Sequence, residues 1–153
     1  MKSEHIFNSK LIWNKDFIND RKKSKNHKIM IADKEDLYLS AAKSFKGDKN
    51  LHNPEDLLLS SLTSCHMMSY LYCCQKESIE IIEYIDESFA QLEVYEDGSG
   101  KIIKATLNPV VLIQNKEDIE TAVALHNDAK KLCFIANSCN FLIEYNPIVQ
   151  SVL

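Results

Sequence analysis

Five cysteines, at positions 65, 73, 74, 133 and 139, and two of the five histidines, His66 and His126, are the residues of this 153-residue sequence whose types and spacing invite chemistry. The odd cysteine count in a chain of this length does not describe a secreted disulfide framework, so the question is whether any free thiol reacts. Cys65 and Cys133 fall on apolar stripes of two expected helices. If those helices pack side by side on a sheet, the two thiols can face each other, since disulfide chemistry depends on spatial geometry and not on sequence separation. The plainest reading is that both are small core hydrophobes, because free cysteine is among the most buried residue types. A zinc site could draw on Cys65-His66, Cys73-Cys74, His126 and Cys133. Against it, no C-x2-C or His-x3-His pair occurs, and adjacent residues on a helix point about 100° apart. A Cys–His hydrolase, with Cys65 attacking and His126 as base, lacks an evident third group to orient the base. Cys73, eight residues after Cys65, lies roughly 12 Å further along the helix, too far for a direct bond. Cys73, Cys74 and Cys139 are most simply structural, with Cys139, close in sequence to Cys133 but past the expected helix end, the one that could compete as a resolving thiol.

The elements that must position these groups are legible in outline. Short strands are expected between residues 6 and 40: Phe7–Trp13, His27–Ala32 and Asp36–Ser40. At Asn53 a helix begins. Asn53 is a good N-cap, Pro54 suits the first helical position, and Glu55 and Asp56 place negative charge at the positive helix end. The run from Leu57 to Cys74 carries no Asp, Glu, Lys or Arg, and a helix apolar or small on every side belongs in the middle of a domain. It is expected over 54–75. A hairpin follows over 79–113, turning at Glu96-Asp97-Gly98-Ser99-Gly100. The stripe Ile119, Ala122, His126, Ala129, Cys133, Ala136 predicts a second helix over 117–136, and a final strand covers 141–146. Strands, buried helix, long hairpin, helix, strand: this order predicts a single α+β domain over 1–153, with two principal helices on antiparallel sheet.

Composition narrows the function. A net charge of −4 and a pI near 5.7 argue against nucleic acid as partner, since such affinity comes mainly from Lys and Arg on phosphates. The longest apolar runs fall far short of the ~20 residues of a membrane span. The N-terminal residues Met1-Lys2-Ser3-Glu4-His5 do not read as a leader, so the expected compartment is a reducing cytoplasm.

Two stretches resemble a known family. Asn53-Pro54-Glu55-Asp56-Leu57-Leu58 followed by Ser64-Cys65-His66-Met67 resembles the first-cysteine motif of the osmotically inducible protein C / organic hydroperoxide resistance (OsmC/Ohr) family. Ala129-Lys130-Lys131-Leu132-Cys133-Phe134-Ile135-Ala136-Asn137-Ser138 resembles its second. The resemblance extends from about Leu11 to Pro147, and the Cys-His pair suggests a branch of its own. It implies a two-cysteine peroxidase on an α+β fold that works as an intertwined homodimer. Cys65 would be the peroxidatic thiol, Cys133 the resolving thiol, and Glu55 the active-site glutamate. The family's activating arginine matches Arg21, the sole arginine of the chain, or else its place is taken by Lys25. A lysine there is a point charge in place of a planar fork, which is not a conservative exchange.

The expected reaction follows from thiol chemistry. The thiolate is the nucleophile. The residues flanking Cys65 offer no cation beyond a protonated His66, so the charge must come from a distant segment, the basic run 21–25. The resulting sulfenic acid condenses with Cys133, and an external dithiol resets the pair, with no cofactor and no metal. Leu62, Met68, Phe134 and Phe141 are the expected apolar lining for an organic hydroperoxide. The alternative is a catalytically idle, dimeric binding or structural member of the family.

Overall fold

The computed structural model describes residues 2–15 and 25–153. The chain divides into two compact units, Met1–Leu58 and Leu59–Leu153. Arg21 and most of the basic run 21–25 lie outside the described residues.

In the first unit, β1 (Lys10–Ile12), β2 (His27–Met30) and β3 (Leu37–Leu39) form an antiparallel sheet in the order β1-β2-β3. The strands are shorter than the sequence suggests: Phe7, expected in the first, is 93% exposed and joins no ladder. The link from β2 to β3 turns at Asp33, whose φ of 63° is left-handed, a conformation that Asp tolerates better than most residues. Lys28 and Asp36 pair across it at 2.8 Å. Beyond β3, Leu39 bridges to His52, and between these a 3-10 turn (Lys43–Phe45) leads into Gly47. A Cβ at Gly47 would lie 1.6 Å from the Ala41 carbonyl oxygen, so only glycine fits this approach.

Helix α1 runs unbroken from Pro54 to Lys76. Its start follows from sequence. The Asn53 side chain accepts from the Asp56 backbone N–H at 2.9 Å, and Asp56 reaches back to the Asn53 backbone and side chain, a reciprocal cap. Its end is a Schellman turn. Ser78 N–H donates to Gln75 O and Ile79 N–H to Cys74 O, with Ser78 at φ 58° where glycine is usual.

The second unit holds two three-stranded sheets. β4 (Ile81–Asp86), β7 (Pro109–Ile113) and β9 (Ile148–Ser151) form one, and β5 (Phe89–Val94), β6 (Gly100–Leu107) and β8 (Leu142–Tyr145) the other. The β5–β6 hairpin turns where the sequence indicates, with Gly98 at φ 84°. The remainder of the long hairpin is divided between the sheets. The chain changes sheet near Asp86, at Asn108 and at Asn146, and these points are tied together. Asn108 N–H donates to Asp86 Oδ1 at 2.8 Å, Asn146 Nδ2 donates to Asn108 Oδ1 at 3.0 Å, and Asn146 N–H donates to Leu107 O. Each asparagine precedes a proline, which favours an extended residue before it and removes one ladder donor.

Two expectations on the elements need correction. The sheets are not wholly antiparallel, because β6 pairs β8 and β7 pairs β9 in parallel. The return through the helices brings the C-terminal strands up alongside strands of the same direction, and β9, beyond Pro147, was not anticipated. The second helix is not continuous over 117–136. α2 covers Ile119–Leu132, Cys133 is extended (φ −74°, ψ 105°), and α3 covers Phe134–Ser138. The i, i+3, i+4 stripe survives this break because Cys133 faces inward on both readings, so periodicity alone does not detect it.

The core has two parts. Tyr70, Cys73, Cys74, Ile79, Val111, Ile113, Ala122, Leu125 and Ala129 form one, and Leu62, Ala105, Leu107 and Cys133 the other. Since Ser78 holds a left-handed conformation that a Cβ disfavours, Ser78→Gly is expected to stabilise the protein by roughly 1 kcal/mol, read as a higher urea midpoint. An unchanged or lower midpoint would show that this helix end carries no strain.

Candidate functional site

The buried side of α1 is the stripe Leu62, His66, Tyr70, Cys73 and Cys74, spaced by three and four residues as one helical face requires. Cys65 stands beside this stripe and is half-buried. The buried side of α2 is Ala122, Leu125, His126 and Ala129. Two contacts set the register of the helices. The Tyr70 hydroxyl donates to Ala122 O at 3.1 Å, and His66 Nε2 and His126 Nδ1 share a hydrogen bond at 3.1 Å. The His126 ring stacks on Tyr70 with centroids 3.8 Å apart, and His66 packs on Tyr145 at 4.7 Å.

With that register fixed, Cys65 packs against the cluster that contains the fully buried Cys133. Both thiols are free. Burial holds the Cys133 thiol above its ordinary range, the Ala136 N–H opposes this, and the neighbouring Cys65 thiol adds to it. The Cys133 sulfur accepts the Ala136 N–H at 3.4 Å, which the break between α2 and α3 makes possible. The extended backbone at Cys133 turns the sulfur onto the first free N–H groups of the next turn.

Cys65 opens on a cleft of about 380 Å³ walled by Met68, Ser69, Tyr72, Leu132 and Phe134. Met68 and Phe134, expected as lining, are both on this cleft. Leu62 does not: it is fully buried and packs in the core beside Cys133, because it is three residues before Cys65 on the inward side of the helix. Phe141 also packs against that core cluster. Ser69 and Tyr72 were missed, although positions 65, 68, 69 and 72 share one face by helical spacing. The cleft wall is apolar and open, with Phe134 80% and Met68 57% exposed.

Glu55 and Lys25 belong to a different cleft, in the first unit. It holds about 200 Å³ and is lined by Lys25, His27, Ser40, Ala42, Phe45 and Glu55 among others. The Lys25 ammonium donates to Phe45 O. The structure therefore gathers the expected residues into two pairs, Cys65 with Cys133 and Lys25 with Glu55. Ten residues of unbroken helix, about 15 Å of rise, separate Glu55 from Cys65 on α1.

The other readings of the thiols find little in the geometry. His126 is engaged by His66 and Tyr70, not by Cys65. Among the described residues, no group of three or more His, Cys, Asp or Glu side chains is placed to hold a metal ion. No helix among them is long and apolar enough to cross a membrane.

An α+β chain in which Cys65 packs against the cluster of Cys133 defines a class, and the comparisons identify the family. The sequence profile of OsmC-like proteins matches residues 47–145, and the chain belongs to that family. Its fold is similar to that of an OsmC-like protein of unknown function from Vibrio cholerae (TM-score 0.83, 21% identity, 95% of this chain and 100% of that one). It is also similar to an organic hydroperoxide resistance protein from Elizabethkingia anophelis (TM-score 0.73, 16% identity, 99% of both chains). A third similar structure is the organic hydroperoxide resistance protein OhrB of Bacillus subtilis (TM-score 0.65, 19% identity, 95% and 98%). No curated protein matches the sequence significantly.

The histidine pair has a consequence for stability. Burial lowers the pKa of His66 to about 4, against the opposing charge of Asp86. Burial, reinforced by His66, lowers that of His126 to about 3. Both folded values lie below the unfolded value near 6.5, so the unfolded chain binds more protons in acid. This contribution is complete above about pH 6.5 and is lost as pH falls toward 4, on the order of 1 kcal/mol per histidine for each pH unit. Urea melts between pH 7 and 4.5 should show this slope, and His66→Phe/His126→Phe should flatten it. A double variant with the wild-type slope would assign the acid sensitivity to other groups.

Proposed function

We propose that the protein is a thiol-dependent peroxidase that reduces organic hydroperoxides through a Cys65/Cys133 cycle. The observation that carries this reading is the placement of a half-buried thiol on an open apolar cleft, directly against a second, fully buried thiol. In the first step the Cys65 thiolate attacks the distal oxygen of the hydroperoxide. The O–O bond breaks, the sulfur is oxidised to the sulfenic acid, and the leaving alkoxide takes up a proton to become the alcohol. In the second step the Cys133 sulfur bonds to the Cys65 sulfur, and the Cys133 proton and the sulfenic hydroxyl leave as water. A dithiol from outside then reduces the disulfide, becoming a disulfide itself. The apolar side chains of Met68, Tyr72, Leu132 and Phe134 favour an organic hydroperoxide over hydrogen peroxide. No cofactor enters the cycle.

The reading includes a homodimer. Glu55 cannot span about 15 Å of its own helix to reach Cys65, so a site containing both draws them from different chains. Each site then combines the Cys65 cleft of one chain with the Lys25–Glu55 cleft of its partner, Arg21 or Lys25 supplying the cation. Such an assembly also covers the exposed Phe134 and Met68. The hydroperoxide resistance proteins that share the fold support the substrate class, and the compartment that suits this chemistry is the cytoplasm.

Titration with one equivalent of an organic hydroperoxide should remove two thiols per chain. Cys65→Ser should abolish turnover, and Cys133→Ser should give one slow turnover followed by added oxygen on Cys65 by mass spectrometry. No thiol loss in the wild type, or turnover in Cys65→Ser, would overturn the reading in favour of an idle family member. Sedimentation at low micromolar concentration should give a dimer. A mixed dimer of Glu55→Ala and Cys65→Ser chains should regain one of its two sites, while an active monomer would exclude the shared site.

A further inference from the structure

A third cleft, in the second unit, is lined along α2 and shares no lining residue with the Cys65 cleft. It holds about 490 Å³, within the range of small-molecule sites. Its walls are α2, β8 and the link to β9. Val123, Ile143 and Pro147 give it apolar surface, and His126, Lys130 and Tyr145 its polar groups.

Two features mark it as built for a ligand. First, His126 is only 3% exposed, yet its Nε2 has no hydrogen-bond partner, and the buried Tyr145 hydroxyl has none either. Burying a polar atom unpaired costs stability, and two such atoms in the wall of one cleft call for an external partner. Second, the Lys130 ammonium sits over the Tyr145 ring, 5.2 Å from its centroid. Among the described residues no carboxylate lies within ion-pair distance of Lys130, and Glu144 on the same wall is paired with Lys104. When His66 Nε2–H donates to His126 Nδ1, the free His126 Nε2 carries a proton. The cleft then presents one cation and two neutral donors beside an aliphatic wall.

We infer that this cleft binds an aliphatic monocarboxylate, its carboxylate held by Lys130, Tyr145 and His126 and its chain laid against Val123, Ile143 and Pro147. A single cation with a neighbouring, already paired glutamate suits one negative charge better than two. The volume is several times what acetate needs, which points to a chain of about four to eight carbons. No residue lines both this cleft and the Cys65 cleft, and occupancy is read by binding without activity.

The test is binding of hexanoate to the full-length protein, followed by calorimetry and by the chemical shifts of the His126 ring nitrogens. Hexanol supplies the chain without the charge, and inorganic phosphate the charge without the chain. Hexanoate should bind, shift the His126 Nε2 signal and raise the melting temperature. Hexanol and phosphate should each bind at least about tenfold more weakly, the loss expected when a charge-assisted hydrogen bond or an apolar contact is removed. Lys130→Gln, at an exposed position that leaves the core untouched, should weaken hexanoate about tenfold or more, and Tyr145→Phe should do so to a lesser extent. Cys65→Ser should bind as the wild type does, which separates this inference from the peroxidase reading. No binding of hexanoate, equal binding of hexanol or phosphate, or full affinity in Lys130→Gln would each overturn it.

Discussion

The contact on which the second unit depends is the imidazole–imidazole hydrogen bond between α1 and α2. His66 and His126 meet at 3.1 Å, enclosed by the rings of Tyr70 and Tyr145. Neutral imidazoles can be buried in this way because each satisfies half of the other's hydrogen-bonding capacity, whereas a charged pair at that distance would repel. The bond sets both the rotation and the axial offset of the helices. Cys65 precedes His66 by one residue, and Cys133 follows His126 by two turns. Shifting either helix by one residue would rotate its thiol by about 100° and separate the pair.

The price of this arrangement is unsatisfied polarity. His66 Nδ1, His126 Nε2, Tyr84 Oη, Asp86 Oδ2, Thr106 Oγ1 and Tyr145 Oη are all buried without a partner. Most belong to residues in contact with the histidine pair or its aromatic enclosure. Native cores leave few such groups, and their concentration beside two helices that carry the candidate chemistry fits the tendency of proteins to depart from ideal packing near functional sites. Desolvation also raises the Tyr145 pKa to about 12, with Cys133, Cys139 and Cys65 contributing. Tyr145 thus touches both the polar cluster and the thiol cluster.

The break at Cys133 and the changes of sheet at Asn108 and Asn146 solve related problems. In each case a short polar or proline-associated interruption redirects the chain while its backbone groups find new partners. At Cys133 the freed N–H of Ala136 is taken by sulfur. At the sheet changes, the Asp86 carboxylate takes the Asn108 N–H and the Asn146 side chain donates to that of Asn108. The first device brings a thiol to the end of α2, and the second lets one long hairpin supply strands to two sheets.

Sequence alone determined the elements whose signals are local. The Asn53 cap, the charge-free helix, the Gly98 turn and the stripe of α2 follow from propensity, periodicity and capping chemistry, all of which act over a few residues. From these the α+β class and the two main helices were legible, and the motifs around Cys65 and Cys133 pointed to the family. Tertiary structure decided what depends on distant partners. Parallel pairing of β8 with β6 and of β9 with β7 joins strands far apart along the chain. Leu62 moved from cleft to core because a face apolar on all sides does not reveal which side will be covered. The histidine pair, 60 residues apart in sequence, carries no local signal at all, because the hydrogen bond that aligns the helices exists only once they have packed.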